Sequence, residues 1–385
     1  VHRDITSLFL LMLLPYNKFT ALLKLILYTP EKMLYRFVLM ASRHGMDPEK
    51  CSGAHTSGSS GKERPDRCIG GGEDPSGFSE KTGGGPGLST TRDYHRHVPV
   101  DLMRELTICE SFAGPDSPYA VALESPSSYG AMVGDFLARN GLLRENAVIC
   151  EAGGGYGSLM HGLLSSRGDS IARIYMIDLS RSLLQKQRLL LSAWRERITS
   201  IQADIHEIMG AFSGVDLFII NEVLGDLNTL TAVDPASIPR EVRELVDAYD
   251  LDIPDRPFNF NIGAVKLVET LCRSGIPAFL SEHSCDPIIP ESMPFLAKGL
   301  ELDAYPREIR LYRHSEYTIR FSHLERVARA HGRRVSSGSL IDLVGLKPSR
   351  RLETIFLTRA CDTDTHEIIF ELLDHIREYR WLTIT

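Results

Sequence analysis

The chain has 385 residues, 43 Lys plus Arg against 50 Asp plus Glu, a net charge of -7 and 43% hydrophobic residues. That is room for one large domain with an appendage or for two domains, and the composition excludes collagenous, fully disordered and polytopic membrane chains. The acidic balance argues against a nucleic-acid partner held by a basic face, and seven scattered cysteines argue against a secreted disulfide framework, so a cytoplasmic protein is expected.

Residues 1–40 are apolar and slightly basic, with S-L-F-L-L-M-L-L-P (7–15) and T-A-L-L-K-L-I-L-Y (20–28) as the greasiest runs. Neither reaches the ~20 apolar residues that cross a bilayer. Asp4 and the lack of a small-residue cleavage site argue against a signal peptide. An apolar helical extension packed on the main domain is expected, with peripheral membrane contact through Lys18, Lys24, Lys32 and Arg36 as the alternative. Residues 41–90 are rich in Gly, Pro and Ser, which predicts a flexible linker, because such a segment cannot offset its ordering entropy by burial. Cys51, His55, Cys68 and His44 carry zinc-compatible donors, but their spacing matches no compact knuckle and no metal is expected.

From residue 91 to 346 short apolar runs alternate with amphipathic stretches, the pattern of an α/β protein with a mainly parallel, doubly wound sheet and helices on both faces. A helix is predicted over 128–140, where Met132, Phe136 and Leu137 share one face. Strands are predicted over 147–151, 173–178, 198–203, 215–221 and 276–281, with helices over 158–165, 182–197 and 262–273. Two further strands are expected over 308–321 and 333–346 around a helix at 322–331, and 347–385 should add a strand and helix packed on the domain.

The chemistry concentrates at strand carboxyl ends, where ligands sit in open α/β sheets. Glu151-Ala-Gly153-Gly154-Gly155-Tyr156-Gly157 is an E-x-G-x-G-x-G turn between strand and helix. Its glycines allow a tight turn and close approach of a ligand to the backbone, and the helix start presents free N-H groups to a carboxylate. Asp178 ends the next strand, where a carboxylate can take both ribose hydroxyls of a nucleoside, and Asp204 ends the third. A dinucleotide fingerprint would need glycine where Ser158 stands, and no Gly-Lys-Ser/Thr follows for a Walker loop.

On these residues the stretch 127–346 resembles the class I S-adenosylmethionine (SAM) dependent methyltransferases. The resemblance implies a Rossmann-like fold with SAM as cofactor, the methionine part over Glu151, Gly153, Gly155 and Gly157, the ribose on Asp178, and the adenine on Asp204 and Ile205. Asn221, at the fourth strand end, joins the cofactor set. The succession S-P-S-S-Y-G-A-M-V-G-D-F-L, E-A-G-G-G-Y-G, N-E-V-L-G-D-L and Y-T-I-R-F-S-H-L is similar to the MidA-like group, linked to arginine methylation of a respiratory complex I subunit. Gly225 stands where that group has an aspartate, and S-E-H-S (281–284) replaces its D-Y-G-Y run.

Two chemistries follow for the methyl acceptor. A guanidinium on a protein would be clamped by a carboxylate, Glu222 or Glu282, through paired N-H bonds. A hydroxyl on a small molecule would need a base, and His283 has the right ordinary pKa. A non-catalytic assembly protein on a methyltransferase scaffold is the third reading. His161, His206, His314, His323 and His331 read as packed or surface groups.

Overall fold

The structure, a computed structural model, describes residues 86–98, 106–125, 127–209, 212–311 and 313–385. The expectations for 1–40, for nearly all of 41–90 and for Cys51, His55, Cys68 and His44 lie outside the described residues.

In chain order the described strands are β1 (Gly87–Ser89), β2 (Ala147–Ala152), β3 (Ile171–Asp178), β4 (Ile198–Gln202), β5 (Leu217–Asn221), β6 (Thr229–Val233), β7 (Phe258–Phe260), β8 (Ala278–His283), β9 (Glu308–Arg310), β10 (Ser315–Tyr317), β11 (Val335–Ser339) and β12 (Tyr379–Ile384). Seven of them form the central sheet in the order β11-β12-β8-β5-β2-β3-β4. The run β8-β5-β2-β3-β4 is parallel, and β12 lies antiparallel between β8 and β11. The fold is therefore α/β and Rossmann-like. From β2 the chain builds outward through β3 and β4, then returns to place β5 on the other side. That reversal opens a crevice above the carboxyl ends of β2 and β5, where doubly wound sheets bind ligands.

Every residue of β5 is buried, as a strand covered on both faces requires, so it reads as an unbroken apolar run. Its side chains alternate between two cores: Leu217 and Ile219 face one, Phe218 and Ile220 the other. The first core is closed by the helices Tyr129–Arg139, Ser158–Arg167 and Asp364–Ile376, the second by Ile262–Ser274 and Phe321–Ala330. Two small sheets, β1-β6-β7 and the β9-β10 hairpin, complete the described strands.

Several elements depart from the sequence reading, each for a local reason. The helix expected over 182–197 is α-helical only over Arg181–Leu190, and Ser192–Arg197 tightens to a 3-10 turn before β4. The strand expected over 308–321 is instead the β9-β10 hairpin, closed by Leu311 N-H donating to the His314 carbonyl at 3.0 Å. A helix already begins at Phe321, because Asp286 accepts the N-H groups of Phe321 and Ser322 at 2.9 and 2.8 Å. The strand expected over 333–346 stops at Ser339, whose hydroxyl accepts from Ile341 N-H and caps the helix Leu340–Leu343. β1 lies inside the span read as linker, paired with β6, and β12 sits within the central sheet.

Candidate functional site

The turn after β2 is shaped by backbone that only glycine adopts easily, with φ of +67° at Gly153 and +51° at Gly155. A Cβ at Gly153 would fall 2.3 Å from Val223 Cγ2, whereas one at Gly155 would meet nothing within 4 Å. Gly155 thus fronts open space at the switch point. Gly157 caps the helix Ser158–Arg167, which starts directly from the loop.

Glu151 and Asp178 stand at the tips of β2 and β3, buried to 2% and 7% exposure. Glu151 Oε2 is buried without a hydrogen-bond partner. Burial, then the nearby Asp178 charge, push its carboxyl up to about 8. Asp178 accepts from Ser180 N-H at 2.8 Å and from Gln187 Nε2 at 3.2 Å, and burial still holds it up at about 6. Gln187 also donates to the Gly155 carbonyl at 2.9 Å, so one side chain ties the loop to the ribose-position acid.

Asn221 ends β5, half-buried Glu222 follows it, and buried Ser281 of β8 joins them in a polar cluster. Tyr129 OH donates to Asn221 Oδ1 at 2.9 Å, and the Ser281 hydroxyl donates to the same oxygen. The Asn221 amide donates to Glu222 Oε2 at 3.1 Å and to Cys109 Sγ at 3.3 Å. Glu222, held at φ +53°, also accepts from Ile108 N-H at 3.0 Å and from Tyr379 OH at 3.0 Å. Both of its oxygens are engaged inside the protein. It therefore anchors the short helix Ile108–Ser111 over the strand ends, where Ser158 OH donates to Glu110 at 2.5 Å. Burial, followed by the charges of Glu222, Glu151 and Glu110, drives the Cys109 thiol well above its ordinary range.

Glu282 faces the other side of β8 and accepts from Gly225 N-H at 3.2 Å and His283 N-H at 2.8 Å, with burial pushing it up to about 8. Here the glycine at 225 has a use: a side chain there would press on the Tyr317 carbonyl at 3.1 Å. His283 packs on Tyr379 with ring centroids 4.3 Å apart and on His375 at 4.9 Å, and its Nε2 lies 3.7 Å from Glu378. Burial, then His375 and Arg307, hold its pKa well below the usual imidazole range, so it stays neutral.

At the tip beyond β4, Asp204 caps Ile205–Ile208 through His206 N-H at 2.8 Å, and its other oxygen lies 2.8 Å from Arg92 Nε. Ile205 is buried beside it. Arg92 belongs to the helix Arg92–His97, whose His95 Nε2 lies 2.8 Å from Asp226 Oδ1 in the turn after β5. His314 and Glu316 of the β9-β10 hairpin gather at the same point. His323 Nε2-H donates to the Asp252 carbonyl at 2.9 Å, and the ring is packed, as read from sequence. Tyr129 and Asp226 fall inside motifs quoted from the sequence, but Cys109, Gln187, Arg92, His95 and Tyr379 carried no signal there, since only the folded chain brings them to the strand ends.

No family model matches the chain, and no curated protein does. Among solved structures it is similar to an uncharacterized superfamily protein from Burkholderia thailandensis, at 15% identity and a TM-score of 0.44 over 77% of this chain and 87% of that one. A second Burkholderia thailandensis protein of that superfamily, bound to S-adenosyl-homocysteine, gives 18%, 0.43, 73% and 79%. Magnesium protoporphyrin IX methyltransferase from Synechocystis, with S-adenosyl-homocysteine bound, gives 13%, 0.34, 76% and 92%. At such identities and TM-scores the functional reading stands on the geometry of this chain's own residues.

Proposed function

We propose that this chain is a SAM-dependent methyltransferase. The observation that carries the reading is Glu151 Oε2, a buried carboxylate oxygen without a partner, beside a left-handed glycine turn at the switch point of the sheet. The α-ammonium of a methionine moiety would satisfy that oxygen and stabilise its charge. Asp178 would accept from the ribose hydroxyls, with Gln187 holding its second oxygen in place. Asp204 and Ile205 would flank the adenine, which requires Arg92 to share or leave the Asp204 carboxylate. When bound, SAM supplies an electrophilic methyl group on a sulfonium. The chain's task is then to hold the acceptor in line with that methyl and to keep water out.

The acceptor is proposed to be cationic, an arginine side chain of a protein, because Glu110 of the helix Ile108–Ser111 stands half-buried over the strand ends beside Ser158, a carboxyl that the cofactor does not use. Glu222 would act mainly by anchoring Ile108–Ser111, since its oxygens are already taken. A hydroxyl acceptor is the second reading; its base would be His283, whose protonated form burial, then His375 and Arg307, disfavour.

Calorimetric titration of SAM into wild type, Asp178→Ala and Gly155→Val tests the cofactor. Each variant should keep the circular dichroism of the parent and bind SAM ten- to hundredfold more weakly, about the loss of one charge-assisted hydrogen bond or of the loop's open face. Normal binding by both would end the reading. Incubation with labelled SAM and cell lysate, watched for S-adenosylhomocysteine, separates an enzyme from a binding scaffold, and label on protein separates the two acceptor classes.

A further inference from the structure

We propose that His95, Asp226, His314 and Glu316 bind a first-row divalent transition-metal ion, zinc being the best fit. Each residue offers one donor atom, and the four atoms lie within 4.8 Å of one another. The residues already form two close pairs: His95 Nε2 is 2.8 Å from Asp226 Oδ1, and His314 Nε2 is 3.2 Å from Glu316 Oε1. Tetrahedral zinc with bonds of ~2.0–2.1 Å places its donors roughly 3.4 Å apart, so small side-chain rotations suffice to close the set.

The chemistry of the donors narrows the ion. Two imidazoles disfavour calcium and magnesium, which take oxygen ligands, and two carboxylates neutralise a dipositive charge. Support around the donors is also built in. Thr91 OH donates to Asp226 Oδ1 at 2.9 Å, and Tyr94 stacks on the His314 ring with centroids 4.1 Å apart. Such outer contacts fix ligand orientation. A separate observation points the same way: the His314 side chain is only 4% exposed, yet its Nδ1 atom is buried without a hydrogen-bond partner. A buried ring nitrogen is seldom left unsatisfied, and an ion taking that nitrogen would remove the deficit.

The four residues come from three elements: the helix Arg92–His97, the turn after β5, and the β9-β10 hairpin. An ion would latch that helix to the rim of the crevice. Since Arg92 of the same helix meets Asp204, the latch would also set how the nucleoside end is covered. This last step rests on the proposed cofactor site, whereas metal binding itself does not.

The test uses the full chain, stripped with a chelator and titrated with zinc chloride by calorimetry, with cobalt(II) absorption as a second reading. One zinc per chain should bind with micromolar or tighter affinity. His95→Gln and Glu316→Gln should each weaken it at least tenfold, while the double variant Cys51→Ser, Cys68→Ser binds as wild type does. Both donor variants spare the packed His314 ring, and circular dichroism checks that they fold. The cobalt form should show visible ligand-field bands without a thiolate charge-transfer band. The proposal is overturned if wild type takes up no zinc, if neither donor variant changes the affinity, or if the cysteine variant abolishes it. Zinc binding with no SAM binding would sink the cofactor reading and leave the metal site standing.

Discussion

Glu151 concentrates the chemistry of the site in one side chain. In the unliganded protein its carboxyl is pushed up to about 8, so at pH 7 it is mostly protonated. An ammonium arriving at Oε2 favours the ionised form, and the proton must leave. Titration of SAM at pH 7 in two buffers of different ionisation enthalpy should therefore report release of close to one proton per ligand from wild type. Glu151→Gln should show weaker binding and no such release. Equal proton release by the two proteins would remove Glu151 from the ammonium contact. Glu222 teaches the opposite lesson. Its position after β5 marked it as an acceptor clamp, but the fold spends its oxygens on Ile108, Asn221 and Tyr379, partners 114, 1 and 157 residues away in the chain. Sequence spacing says nothing of such partners.

Among the elements, the pair Tyr129–Arg139 and Ser158–Arg167 matters most, because the second helix starts from the glycine loop and the first carries Tyr129 to Asn221. They approach closely enough that a Cβ on Gly130 would lie 1.9 Å from the Leu159 carbonyl oxygen, and one on Gly162 2.3 Å from Ser128 Oγ. Backbone cannot yield as a flexible side chain does. Gly130→Ala should thus destabilise the fold by about 1–3 kcal/mol, as overpacked cores do, and also weaken SAM by shifting the loop. Urea unfolding measures the first, and a midpoint unchanged from wild type would show that the helices separate at little cost. The parallel strands β2, β5 and β8 were legible because strands buried on both faces are nearly unbroken apolar runs, and the glycine turn because its spacing and flanking carboxylates are local features. The breaks at Ser339 and Phe321 were not. One strand ends through a side-chain cap, the other helix begins through Asp286, 35 residues upstream, and neither event alters the hydrophobic period.

At the scale of the whole molecule, the carboxylates at the crevice make stability fall where most acidic proteins are comfortable. Burial leads in raising Glu151 to about 8 from 4.5, Glu282 to about 8 from 4.5 and Asp178 to about 6 from 3.8. For each, the fold favours the protonated form, so its contribution is full below the ordinary carboxylate value and is lost as pH rises through the folded value. Asp252 has the other sign: the hydrogen bond from His323 leads in holding it below its usual range, with His323 and Arg320 charges adding, so its contribution is lost as pH falls below about 3.8. The unliganded protein should accordingly be most stable near pH 4 and lose melting temperature steadily from pH 5 toward pH 8.5. SAM brings positive charge to the site, which compensates the ionised Glu151, so the rise in melting temperature that it causes should be larger at pH 8 than at pH 5.5. Thermal unfolding from pH 4 to 9, with and without SAM, reads both slopes. The double variant Glu151→Gln, Glu282→Gln should flatten the unliganded curve above pH 5. A wild-type melting temperature that climbed from pH 5 to 8.5 would mean that these carboxyls are ionised and partnered in the free protein, and the site would then lack the unpartnered carboxyl on which the SAM reading depends.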